Sequence, residues 1–81
     1  MTARTGRGRA EALAALLYPG STCHLWRESG TSVRVLAYTA ETSHRCGSGT
    51  DEADAWRVAA ITLRARAIAL RDDLTRELET P

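Results

Sequence analysis

The chain has 81 residues, of which 43% are hydrophobic and 26% charged, with a formal net charge of +1. That length allows one domain with a small core, and the composition is that of a folding rather than a disordered chain. The near-neutral balance excludes a protein that binds polyanions by bulk charge, and no apolar stretch approaches the roughly 18 residues of a membrane span. Without a signal-peptide core at the N-terminus either, a cytoplasmic protein with no membrane contact is expected.

Met1 to Gly8 bring Thr, Gly and Arg and little to bury, which predicts a flexible basic arm over residues 1–8 through Arg4 and Arg7. Residues 9–81 then form a single α+β domain. From about Arg9 the spacing of Ala10, Leu13, Ala14, Leu16 and Leu17 predicts a short helix, stopped by Pro19-Gly20, which disfavour helical geometry at Tyr18. Thr22 to Glu28 and Ser32 to Thr39 are rich in Val, Leu, Trp, Tyr and Thr. They predict a hairpin, with Ser29-Gly30-Thr31 supplying the positive φ of a tight turn. A third, polar run from Glu41 to Cys46 suits an edge strand.

Gly47-Ser48-Gly49 is expected as a loop, followed by Thr50 or Asp51 as N-cap. The last helix then runs to about Leu78, with Ala53, Trp56, Ala60, Leu63, Ala67, Leu70, Leu74 and Leu78 at steps of three and four, a single apolar stripe. The result is an α-β-β-β-α order: a three-stranded antiparallel sheet with a short N-terminal and a long C-terminal helix.

A length comparison sharpens this. About 28 helical residues reach ~42 Å, whereas strands of about seven residues cover ~23 Å, so the helix must overhang its sheet. Leu70, Leu74 and Leu78 on the overhang need cover, from the first helix or from another molecule. Together with Ile61 and Ile68, which are hard to place in solvent, they form a candidate homodimer interface.

Alternation puts Val33, Val35 and Ala37 on one face of the second strand, the better core, and Arg34, Leu36 and Tyr38 on the other. His24 and Trp26 join the second set if the hairpin loop has three residues; Cys23, Leu25 and Arg27 join it if the loop has two. A face carrying Trp26, Arg34, Leu36 and Tyr38 is a candidate partner-binding surface, able to anchor a protein or stack bases. The competing reading is a plain cross-strand packing of Trp26 over Arg34.

Arg57, Arg64 and Arg71 recur every seven residues along one flank of the long helix, a second candidate partner surface against an acidic face or a phosphate backbone; a solvated face is the competing reading. Cys23, His24, His44 and Cys46 are zinc-type donors. Strand neighbours point to opposite faces, however, and no CxxC spacing is present, so no metal is expected. With no orienting group for a Cys-His pair, no catalytic residue is assigned and no cofactor is expected. Asp51, Glu52 and Asp54 sit where the helix dipole favours acids.

The helix, three strands, helix order over residues 9–78 resembles the double-stranded RNA-binding domain. That family opens its last helix with lysines that grip phosphates. Here Asp51, Glu52 and Asp54 stand in their place, so the resemblance implies a shared fold and none of its binding residues. In size, lack of catalytic residues and self-sufficiency the chain also resembles the small phage-encoded inhibitors of bacterial defence, the anti-CRISPR proteins. That resemblance implies stoichiometric inhibition of a CRISPR effector complex by protein contact. A nucleic-acid-binding module using the arginine arm and the exposed sheet face, with weak affinity, is the alternative expectation.

Overall fold

The structure, a computed structural model, describes residues 6–80. It runs α1 (Gly6–Leu17), β1 (Thr22–Ser29), β2 (Ser32–Tyr38), β3 (Ser43–Gly49) and α2 (Glu52–Glu79). The expected element order is the one observed, and the strands form one antiparallel sheet in the order β1-β2-β3. Both helices pack on one face of it. Val33, Val35 and Ala37 of β2 meet Ala10 and Ala14 of α1 and Ala55, Trp56, Ala59 and Leu63 of α2 there, in one core.

α1 starts at Gly6, ahead of the expected Arg9, because tertiary contact outweighs the low helix propensity of Gly6 and Gly8. A Cβ on Gly6 would lie 3.2 Å from the Arg57 amide nitrogen, so the absent side chain lets α1 approach α2. The Arg7 Nε donates to Glu11 at 2.9 Å, and its guanidinium stands 5.3 Å from the centroid of the Trp56 ring. Arg7 is therefore part of the helical layer rather than of a basic arm; Arg4 lies outside the described residues. After α1, Pro19 and Gly20 form a tight turn in which the Ser21 amide donates to the Tyr18 carbonyl at 2.9 Å. Gly20 takes a φ of 81°, as the third position of a type II turn requires.

The hairpin departs from both expected forms. Ser29 pairs with Ser32, which leaves a two-residue loop, Gly30-Thr31, and the register shifts between Arg27 and Ser29 so that Glu28 is an extra residue. A two-residue loop alone would turn Cys23, Leu25 and Arg27 to the side of Arg34. The one-residue bulge reverses that parity. Trp26 faces Arg34 and His24 faces Leu36, the pairing expected of a three-residue loop. The positive φ expected in this turn is absent, since Gly30 lies outside the left-handed region that Gly20 occupies.

β3 spans Ser43–Gly49 rather than Glu41–Cys46, so Gly47-Ser48-Gly49 is strand and not loop. The turn before it is closed by Thr39, whose amide donates to the Thr42 carbonyl at 2.8 Å and whose Oγ1 accepts from the Thr42 amide at 3.1 Å. Glycine in this strand reflects close packing rather than a turn. A Cβ on Gly47 would fall 2.5 Å from the Ala59 amide nitrogen, and one on Gly49 would fall 2.7 Å from that of Ala55. The two glycines thus let α2 lie down on the edge strand.

Asp51 is the N-cap of α2, its carboxylate accepting from the Asp54 amide at 2.8 Å. The buried stripe runs through Ala55, Trp56, Ala59 and Leu63; Ala53, expected on that stripe, is exposed in the first turn. Beyond Leu63 no residue of α2 is buried. The overhang foreseen from the length comparison is real, and the molecule is 53 Å long and only 19 Å in its thinnest direction. Among the described residues no helix is long and apolar enough to cross a membrane.

Candidate functional site

With both helices on one side, the other side of the sheet is open. The bulge at Glu28 brings His24 and Trp26 of β1 onto it beside Arg34, Leu36 and Tyr38 of β2, and Arg45 of β3 joins them opposite Leu36. Trp26 is 54% exposed. The Arg34 guanidinium is drawn to the Glu28 carboxylate, with which it forms an ion pair, rather than across the strand to the indole. Tyr38 meets the His24 ring edge to face at 5.4 Å, and Thr22 Oγ1 lies 3.2 Å from His24 Nε2. The strip therefore offers an aromatic surface with a neutralised arginine at one end and Arg45, exposed, at the other. Such a surface can bury apolar area and stack planar groups.

Arg57, Arg64 and Arg71 do share a flank of α2, but they do not make a free cationic stripe. Arg57 donates to Asp54 at 2.5 Å and Arg71 to Asp72 at 3.4 Å. The Arg57 hydrogen bond, with the Thr50 amide behind it, holds the Asp54 carboxyl below its usual range. Arg64 instead lines a groove between the helices with Arg9, Leu13, Leu16, Ala60 and Ile61. Its volume is about 470 Å³.

The five candidate interface residues fall into two groups. Ile61 and Ile68 are seven residues apart and share one face, whereas Ile68 and Leu70 are two residues apart, about 200° of turn, and point in opposite directions. Leu70, Leu74 and Leu78 line a second groove of about 300 Å³ with Leu16, Leu17 and Ala67. Leu78 is 87% exposed, Leu16 76% and Leu74 55%. α1 therefore ends beside the overhang without covering it.

Cys23, His44 and Cys46 belong to the helix side of the sheet, and His24 to the open side. Among the described residues no group of three or more His, Cys, Asp or Glu side chains is placed to hold a metal ion. Both cysteines are free. Burial, with Cys46 and Glu11 nearby, pushes the Cys23 thiol up to about 11, and burial likewise raises Cys46. At neutral pH each is a protonated thiol, the poor nucleophile of the pair. His44 stacks on Tyr18 at 3.9 Å, and Tyr18 Oη accepts from Arg66 at 3.0 Å, which ties α1, β3 and α2 together.

Sequence reasoning missed Arg45 and Leu16. Arg45 lay within the expected edge strand, but its face follows from the register with β2, which shifts between Val35 and Leu36; Leu16 was hidden by its place in the α1 apolar stripe, where nothing local distinguishes a core leucine from an uncovered one. No family model matches the chain, and neither a curated protein nor a solved structure matches it.

Proposed function

We propose that this chain is a non-enzymatic interaction protein that occupies a protein surface with the open face of its sheet. The observation that carries the reading is Trp26, more than half exposed on the edge strand β1 of an uncovered sheet face. Tryptophan, tyrosine and arginine, the three residue types enriched in binding hot spots, all stand on this face. The resemblance to small phage-encoded inhibitors supplies the partner class, a CRISPR effector complex whose target or activation surface is blocked. In this reading the helical side is left free to join two copies, and the acting unit is a homodimer with two sheet faces.

The test is transformation of cells whose CRISPR effector complex targets the incoming plasmid. Expression of the chain is expected to restore transformation, and Trp26→Ala or Tyr38→Ala to abolish the restoration without loss of fold. Restoration by Trp26→Ala at the level of the unmodified chain overturns the assignment of this face.

A second reading is supported by Arg45 on the same face as His24, Trp26 and Tyr38: a platform on which single-stranded nucleic acid stacks. The net charge of +1 and the acids at the start of α2 argue for duplex affinity no better than about 10⁻⁴ to 10⁻⁶ M at physiological salt. The salt dependence of any binding separates the two readings, since phosphate contact weakens steeply with salt.

A further inference from the structure

The overhang of α2 divides by charge. From Arg64 to Arg71 it carries Arg64, Arg66 and Arg71 and no acid; from Asp72 to Glu79 it carries Asp72, Asp73, Glu77 and Glu79 with Arg76 alone opposing them. We infer that two copies pair through this overhang, antiparallel about a two-fold axis between Arg71 and Asp72, the leucine stripes face to face. The inference rests on the homodimer element of the reading above and not on what the sheet face binds.

Three observations converge on that register. An antiparallel pair centred there sets Arg64 level with the partner's Glu79 and Arg66 level with the partner's Glu77. Arg66 and Glu77 are eleven residues apart, about three full turns, so they occupy the same flank of the stripe. In an isologous antiparallel pair like flank meets like flank, and the contact occurs twice. Arg66 uses one nitrogen on Tyr18, and a guanidinium keeps further donors for a carboxylate.

The apolar register follows from the same axis. Leu70 falls beside the partner's Leu74, large against large near the centre. Leu78 reaches the partner's Ala67, small enough to admit it, with the partner's Leu16 and Leu17 as the walls of the groove. Arg71, nearest the axis and its own symmetry mate, is neutralised within its chain by Asp72. α1 ends level with Ala67 and Leu70, so the partner's last turn lies beside the end of α1, against Leu16 and Leu17, and the central leucines meet past it.

The experiment is sedimentation or light scattering of the whole chain from 1 to 100 µM, with circular dichroism to confirm fold. A species of twice 8.8 kDa is expected, and Leu74→Glu is expected to weaken it at least about 100-fold, while Ile61→Glu, on the other face, leaves it intact. Arg66→Glu alone and Glu77→Arg alone are each expected to weaken pairing roughly tenfold, and the double exchange Arg66→Glu with Glu77→Arg to restore it. A monomer at 100 µM, a dimer that survives Leu74→Glu, or a double exchange that fails to restore pairing overturns the inference; the first outcome would leave the groove to a different protein. None of these variants touches the sheet face, so a failed transformation assay with an intact dimer would locate the fault in the functional reading alone.

Discussion

The two halves of α2 have the same helical geometry and a similar apolar spacing, yet they are held by different things. From Glu52 to Leu63 the helix lies on the sheet, with Ala55, Ala59 and Leu63 fully buried and Trp56 nearly so. From Arg64 onward it projects past the sheet, and its leucines face the groove beside the end of α1. The first half is stabilised by close packing that small residues make possible: alanines on the helix and Gly47 and Gly49 on β3 bring the two backbones together. The second half has Arg, Asp and Glu on most of its surface and gains from its apolar stripe only when something covers it. A periodic pattern thus establishes a helix but not what the helix is packed against.

That contrast can be broken most sharply at Leu63. Leu63→Ala removes the largest fully buried side chain and is expected to cost about 2 to 5 kcal/mol in urea unfolding; a loss below ~1 kcal/mol would mean that the first half is no better packed than the second. Gly47→Ala comes next. Its Cβ would meet main-chain atoms of α2, which cannot rotate away, and a loss of about 1 to 3 kcal/mol is expected. Gly30→Ala, with nothing within 4 Å of the added carbon, is its control and should stay within about 0.5 kcal/mol.

A cap belongs to the first half as well. Asp51→Ala removes the acceptor for the Asp54 amide and is expected to lower stability by about 1 kcal/mol. On the overhang, Leu78→Ser should change stability by less than about 0.5 kcal/mol under dilute conditions, where copies are separated. Calorimetry at two concentrations checks this, because an effect that grows with concentration reports the paired state.

The last effect is one of pH. The folded Cys23 thiol titrates at about 11 rather than its ordinary 9.0, so the folded state favours the neutral form. Its contribution is fully present below pH 9 and is lost as pH rises through about 11. Unfolding followed between those values should show a decline that Cys23→Ala reduces, leaving the part that Cys46 contributes. Alkylation of Cys23 at pH 8.5 should also be slower in the folded chain than in urea.

Much of this architecture was readable from residues alone because it is local. The alternation through Val33, Val35 and Ala37 marked the core face of β2, a cap at Thr50 or Asp51 marked the start of α2, and helix length against strand length established the overhang without any coordinates. The candidate sheet face was readable only as two alternatives, since a strand of period two reverses completely with one residue of slip. The bulge at Glu28 made that choice, and a bulge has no reliable local signature when the turn around it is Ser-Gly-Thr-Ser.

The remaining differences share a cause: contacts between segments distant in sequence. Gly47 and Gly49 look like a loop to any reading of neighbours, but α2 needs their bare backbone in order to pack, and so they extend β3. Gly6 and Gly8 look like the end of order, but Gly6 is where α1 meets Arg57, and so the helix begins there. Leu16 and Leu63 carry the same side chain on equally regular helices; one is 76% exposed and the other wholly buried. Composition and spacing determined that both would be apolar positions on helices. Only the tertiary placement of the helices, which turns Leu63 onto the sheet and leaves Leu16 about 200° around α1 from the buried Ala14, decided which became core and which became surface.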